Sequence, residues 1–356
     1  MFIVLAIVAF GIIIAIHELG HYLSAKALNV KVNEFAIGMG PKIISKQGKE
    51  TLYSLRALPF GGFCTMEGEH EEGEEPDPRS FLSQKRWRRI VILASGSLAN
   101  ILAAFIIIVI LTAGAQGFVG TTLTNVVDSL PQEGPRELMP GDRIYAINGE
   151  RLYYYDDFAL LMHFNSGKPI TFTIERDGEL IEYQRRSYTV NGVEQFRYSI
   201  DFNIIENNIL ETLRYSGAQA FRFMRMIRLS IAMMVSGAAS VQDISGPVGI
   251  VSAMNTIGQQ APTTIAAIGN IVFFTAFIGV NVAVVNMLPI PAMDGGRILF
   301  IFITWIIEKV TRKHLDPKYE NYINTVAFVL LIALMVFVLY NDVMREIGRQ
   351  DINING

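Results

Sequence analysis

The chain of 356 residues holds a single cysteine, Cys64. One thiol excludes an internal disulfide framework and leaves the redox compartment unmarked. Charge is scarce as well. Asp, Glu, Lys and Arg make up 18% of the residues, where an average soluble domain carries about 25%, and they gather into no basic block. With a formal net charge of -3, nothing marks nucleic acid as a partner. The first apolar run lacks the basic flank and the small-residue cleavage site of a secretory signal, so it reads as a retained segment.

Apolar side chains take the place of the missing charge, at 51% of the residues. Hydropathy gives about four segments long enough for a bilayer core. They are 2–27, 90–115, a third that begins near 265, breaks at Pro289 and Pro291 and resumes at 298–307, and 323–340. Basic residues near span ends favour the cytoplasm. Lys26, Lys31, Lys85, Arg86, Arg88 and Arg89 flank the first two spans on one side, and Lys309, Arg312 and Lys313 flank the last two on the same side. Both termini and the segment 117–264 are therefore expected outside the cytoplasm. Residues 214–237 make no rival span, because Arg222, Arg225 and Arg228 interrupt them. They read as an amphipathic helix in the membrane interface with its arginines toward headgroups, or as a helix packed on the protein's own surface.

The first span carries His17, Glu18, Leu19, Gly20 and His21. Positions i and i+4 of a helix share a face, so the two imidazoles can grip one metal ion while the carboxylate addresses a water on it. This is the H-E-x-x-H pattern of a zinc protease, set here behind an almost unbroken apolar run. Polar groups without partners in hydrocarbon are costly, and a divalent metal offsets that cost. Catalytic zinc usually takes three protein ligands, and this motif supplies only two. The third span holds Asn286, Met287, Leu288, Pro289, Ile290, Pro291, Ala292, Met293, Asp294, Gly295 and Gly296. Its prolines and glycines break a helix at membrane depth, which is tolerated where the freed backbone lines a cavity or is buried in protein. Asp294, in that break, is the natural third ligand. The alternative is a kinked helix whose Asp294 pairs with Arg297.

H-E-x-x-H in the first span joined to N-x-x-P-x-P-x-x-D-G-G in a later broken span resembles the site-2 protease family of intramembrane zinc metalloproteases. Gly96, Ser97, Leu98, Ala99 and Asn100 are similar to that family's small-residue and Asn motif. Met139, Pro140, Gly141, Asp142, Arg143 and Ile144, followed by Ile147, Asn148 and Gly149, look like the signature of an inserted PDZ domain. Ser245, Gly246, Pro247, Val248, Gly249 and Ile250 resemble the linker of the bacterial RseP-like branch, here in its short form with a single PDZ domain. The resemblance implies a multi-span α-helical membrane protein of about four transmembrane helices, with a membrane-associated β-hairpin region and one inserted PDZ-like α+β domain. In this organisation residues 1–27 are the first span and 28–84 a cytoplasmic or membrane-dipping β region with an acidic loop. The second span is 85–116, the PDZ domain 117–203, and 204–264 an interfacial amphipathic helix and linker. The broken third span is 265–307, a cytoplasmic loop 308–322, and the fourth span with its tail 323–356.

The same resemblance implies Zn2+ held by His17, His21 and Asp294, with Glu18 as catalytic base and Asn286 against substrate backbone. Asn100 and Asn281 are further substrate-binding candidates, although either can instead bond a neighbouring helix. The implied substrates are single-span membrane proteins, such as anti-sigma factors or remnant signal peptides, cut in the lipid bilayer of a bacterial inner membrane after an upstream protease has acted. In the resembling family the region around 32–65 forms a sheet that pairs extended substrate as an added strand. A plain cytoplasmic hairpin cap is the alternative. Short strands are expected at 35–39, 42–45, 51–55 and 63–66, and the Glu-rich stretch 67–77 reads as a solvated loop.

Outside, residues 117–201 alternate strand-like segments such as 170–174 with turns at Asp177 and Gly178 and at Asn191 and Gly192. Pro131, Gln132, Glu133, Gly134, Pro135 and Arg136 replace the small-residue stretch usual before a PDZ Pro-Gly-Asp turn. A size-excluding filter is thus as reasonable an expectation as peptide binding. Two rival functions use the same His and Asp site: a noncatalytic membrane scaffold and a metal transporter. The scaffold predicts loss of Glu18 and the transporter a polar path through the spans, and the sequence has neither.

Overall fold

A computed structural model describes residues 2–69, 77–128, 138–165, 168–185, 188–190, 193–195, 198–238, 246–312 and 318–354. The chain divides into two compact units, Met1–Ile107 with Ser230–Gly356, and Ile108–Leu229.

The first unit opens with α1 (Phe2–Ala27), β1 (Val32–Gln47), β2 (Leu52–Met66) and α2 (Arg86–Thr112). It continues with α5 (Pro247–Gln260), α6 (Thr264–Asn286), α7 (Asp294–Thr311) and α8 (Lys318–Ile354). Among the described residues, four helices are long and apolar enough to cross a membrane: Val4–Ala27, Arg86–Thr112, Thr264–Asn286 and Tyr322–Met344. The third differs from the expectation of one interrupted span over 265–307. α6 is 23 residues long and sufficient by itself, and α7 is a separate helix that starts at Asp294. Pro289 and Pro291 lack the N–H groups that would carry α6 onward, and Ala292 turns the chain with φ 71°. A Cβ on Gly295 or Gly296 would collide with the carbonyls of Met287, Leu288 and Ile290, so the glycine pair lets the first turn of α7 lie against the break.

α1 and α2 are stitched together by small polar groups. Ser95 Oγ donates to the Gly20 carbonyl at 2.9 Å and meets Ser24 Oγ at 2.7 Å. Apolar packing follows the same contacts, with Ala25, Val30, Val32, Cys64, Met66, Phe81, Ile92, Leu93 and Ile301 forming one buried cluster. A second cluster joins Ala6, Ala9 and Ile13 to Met254, Ile271 and Ile278. α5 begins at Pro247, and the Gly249 N–H donates to Asp342 Oδ2 of α8 at 3.0 Å. Ser245 and Lys313 lie outside the described residues.

β1 and β2 pair antiparallel. Residues 34–37 pair with 62–65 and are also in register with 52–55, while 42–47 run beside 52–56. The short strands expected here are therefore parts of two long strands, each bent to serve two pairings. The Glu-rich stretch also departs from a solvated loop at its near end. Lys31 Nζ donates to Glu67 at 2.6 Å and Arg297 to Glu69 at 2.5 Å, because both glutamates have a cation opposite them that the local sequence does not show. Residues 70–76 lie outside the described residues.

The second unit contains β3 (Gly117–Asp128), β4 (Arg143–Ile147), β5 (Glu150–Arg151), α3 (Tyr155–Phe164), β6 (Ile170–Arg176) and β7 (Glu179–Arg185). β8 (Tyr188–Val190), β9 (Val193–Gln195), β10 (Tyr198–Glu206) and α4 (Ile209–Val235) complete it. The main sheet has the order β10-β3-β4-β6-β7, with β5 on β4. The period of two expected of a half-buried strand is visible in β6, where Ile170, Phe172 and Ile174 are buried with Leu123, Ile144, Ile147 and Leu161. β6 and β7 turn at Asp177 and Gly178, which have φ 52° and 83°. Asn191, Gly192 and the Pro131 to Arg136 stretch lie outside the described residues. β10 pairs with β3 as far as Glu206, three residues past the expected boundary at 203.

The arginines of α4 do not face outward as the interfacial reading expected. Arg222 and Arg225 are 6% and 4% exposed and converge on the fully buried Asp157, with N–O separations of 3.3 and 3.2 Å. Arg222 also meets Asp156 at 2.9 Å, and Arg228 pairs with Glu150. The carboxylates of 150–157 form an acidic strip on the unit's own surface, and the arginine face of the helix docks there instead of on lipid. Burial pushes the hydroxyls of Tyr154 and Tyr215 up to about 12; Tyr215 stays protonated and donates to Asp156 at 2.9 Å. Breaking a buried pair by removing one partner costs about 3–5 kcal/mol. Asp157→Ala in the full-length protein is expected near the lower end, about 3 kcal/mol, because each arginine keeps a second oxygen. The readout is faster proteolytic nicking within residues 108–229, and unchanged protection would show that the buried arginines are satisfied without Asp157.

Candidate active site

α1 sets His17 and His21 on one face, one turn apart, and α7 brings Asp294 to them with its first residue. His17 Nε2 and His21 Nε2 are 3.2 Å apart, and Asp294 Oδ2 lies 3.1 Å from the first and 3.3 Å from the second. Both histidines are 6% exposed. His21 Nδ1 is 2.8 Å from the Ile92 carbonyl and can only donate to it. In the neutral ring the lone pair is therefore on Nε2, facing the other two atoms.

This donor set fits a zinc ion. Bonds of about 2.0–2.2 Å in a tetrahedron place ligand atoms about 3.3–3.6 Å apart, close to the three separations observed. Two imidazole nitrogens and a carboxylate oxygen converging on one point are a donor set that a divalent cation satisfies. Among the described residues His17, His21 and Asp294 form a group able to hold a metal ion.

A cavity of about 380 Å³ opens onto these atoms. Glu18 lines it from α1, Phe63 to Met66 from β2, Asn286 from the end of α6, and Glu69 and Arg297 as a pair. The structure thus gathers His17, Glu18, His21, Asn286 and Asp294. Asn286 Nδ2 approaches His17 Nε2 at 3.2 Å. Asn100 and Asn281 are not among the lining residues. Asn100 is 1% exposed on α2, and its amide has no hydrogen-bond partner among the described residues. Asn281 is half-buried on α6.

Three further residues shape the site in ways that the sequence does not specify. Arg297 pairs with Glu69, not with Asp294, which leaves Asp294 to the histidines. Glu69 is one glutamate among many in its stretch. Gly96 on α2 lies where a Cβ would meet the His17 and His21 rings; the sequence marks it only as a small residue in a motif.

Comparison with known proteins agrees with this geometry. The model of peptidase family M50 matches residues 5–334. A protein of Clostridium acetobutylicum provisionally named a zinc metalloprotease is 34% identical over 347 residues, covering 97% of this chain and 98% of the relative. The zinc metalloprotease RasP of Geobacillus kaustophilus is 27% identical over 421 residues, with 95% and 97% covered. The regulator of sigma-W protease RasP of Bacillus subtilis is 27% identical over 428 residues, with the same two shares. A family match over nearly the whole length, together with a relative aligned almost end to end, means that this chain belongs to peptidase family M50, as its likeness to the site-2 proteases led us to expect.

Proposed function

We propose that this chain is an intramembrane zinc metalloprotease that hydrolyses peptide bonds within the membrane segments of single-span proteins. The observation that carries the reading is the convergence of His17, His21 and Asp294 beside Glu18 in one cavity, with both histidines inside the first candidate span. Zinc held by these three residues would supply a water with a pKa of about 7 and polarise the scissile carbonyl. Glu18 accepts the proton of the attacking water and hands it to the departing amine nitrogen. Asn286, which offers both a donor and an acceptor, holds the substrate backbone beside the scissile bond.

A peptide bond in a helix is protected by its own hydrogen bonds, so the substrate must be held extended. Segment 62–65 supports this role, since it pairs with 34–37 on one side and no strand lies along its other side among the described residues. An added substrate strand there would pair by main chain, largely regardless of side chains. We place the protein in a bacterial inner membrane with both termini and residues 117–203 extracytoplasmic, following the basic residues at the span ends. Residues 117–203 are read as a PDZ-like domain that excludes substrates whose outer portion has not been trimmed by an earlier protease. The Bacillus subtilis relative is named for regulating a sigma factor, and membrane-bound anti-sigma factors join remnant signal peptides as the proposed substrate classes.

The test is cleavage of a single-span substrate in liposomes by the purified full-length protein. Cuts within the membrane segment, abolished by a zinc chelator and restored by added zinc, are expected. Cuts confined to the aqueous portions would overturn the intramembrane reading. No cleavage by zinc-loaded protein, with or without residues 117–201, would favour the scaffold.

A further inference from the structure

Glu69 lies three residues past the end of β2 and Arg297 three residues past Asp294. Arg297 Nη1 donates to Glu69 Oε1 at 2.5 Å, and the other carboxylate oxygen accepts from the Met66 N–H at 3.2 Å. The guanidinium sits 5.2 Å from the centre of the Phe81 ring, which is 1% exposed. With side chains 8% and 22% exposed, this is no solvated surface pair. It joins the end of the β2 edge to the helix that presents Asp294.

The direction of the Met66 N–H gives the pair its consequence. In a strand successive N–H groups point to opposite sides. The Glu67 N–H donates inward, to the Lys31 carbonyl at 2.9 Å, so the Met66 N–H points to the free side of the edge. A strand added along 62–65 would next offer a carbonyl to Met66, and the Glu69 carboxylate already occupies that donor. We infer that Glu69, held by Arg297, is a register stop: it ends the pairing edge at Met66 and thereby fixes which substrate bond reaches Glu18. Both are positioning residues, and the inference rests on the added-strand reading proposed above. Because the groups facing one neighbour recur at every second residue, loss of the stop lets the substrate slip by two residues.

The experiment has two readouts, both on the full-length protein. In the first, mass spectrometry maps the bonds cut in a single-span substrate by the parent, Glu69→Ala, Glu69→Gln, Arg297→Ala and Arg297→Lys. We expect Glu69→Ala and Arg297→Ala to move at least a third of the product to a bond two residues from the parental one, with KM changed less than about threefold. The conservative variants should move less. In the second, a cysteine placed at Thr65, which lines the same cavity and is half-buried, is oxidised to a disulfide with single cysteines placed at successive substrate positions, in a Cys64→Ala, Glu18→Gln background that cannot cut. The parental edge should trap one position, and adding Glu69→Ala should trap a second, two residues away. The second readout does not depend on activity, so a variant with low turnover still reports. A single parental peak left unmoved by Glu69→Ala, with an unchanged cleavage site, would overturn the register stop and leave the strand reading intact. A flat trapping profile in the parent would overturn both.

Discussion

Glu18→Gln is expected to lower kcat by about 10²- to 10⁴-fold, the usual worth of a positioned general base, while zinc stays bound. Two carboxylates other than Asp294 line the cavity, and their surroundings separate their roles. Both oxygens of Glu69 are engaged, one by the Arg297 guanidinium and one by the Met66 N–H, which turns that carboxylate toward the strand end and α7. Glu18 is adjacent to His17 on the same helix and faces the cavity beside the ligand atoms. The amide introduced by this substitution preserves shape but has no basic oxygen at neutral pH, so the loss should fall on kcat with KM nearly unchanged. Zinc content measured on the same samples distinguishes base from ligand, because the three proposed ligands, His17, His21 and Asp294, are left unchanged. A variant that loses its zinc would make Glu18 a ligand, and one that keeps parental turnover would place the base elsewhere.

The parts of this site that were legible in the sequence are those governed by local geometry or by counting. The pair His17 and His21 follows from the helical period, and Asp294 from a zinc site one ligand short. Arg222, Arg225 and Arg228 showed a charged face in the same way, but a period says only that residues share a face. What the face meets depends on Glu150, Asp156 and Asp157, more than sixty residues away in the chain, so lipid headgroups and a protein surface could not be told apart. The separation of α6 from α7 was visible only in part. Its prolines marked the break, while the length of α6 and the polar residues Arg297, Glu308 and Lys309 on α7 show that the second helix is not the remainder of the first. Asn100 and Asn281 look alike as polar residues in apolar spans, and only the structure shows that neither lines the cavity.

Gly96→Ala is expected to weaken zinc binding by at least about 10- to 100-fold, the scale on which residues supporting a metal ligand act, without touching any ligand. A methyl at position 96 would lie 2.7 Å from His21 Cε1 and 2.8 Å from His17 Cε1, distances that packed carbon atoms do not adopt, so something must move. The His21 ring cannot swing freely, since its Nδ1 is tied to the Ile92 carbonyl on the same helix as the new methyl. Nor can α2 recede without stretching the Ser95 bonds to Gly20 and Ser24 and opening the packing of Ile92 and Leu93. Displacing the imidazoles is the softer response, and it spoils the separations near 3.2 Å that suit one ion. Gly269→Ala, inside α6, is the matched control, because a Cβ there meets nothing within 4 Å. Competition against a zinc chelator measures the effect on both proteins, and far-UV circular dichroism checks that each keeps its helices. Parental zinc affinity in Gly96→Ala would mean that the gap between α1 and α2 yields easily. Equal losses in both variants would mean that the helices, and not the ligand rings, are disturbed. A loss confined to Gly96→Ala would show that the absence of a side chain on α2 places the two histidines as surely as the helical period that brings them to one face.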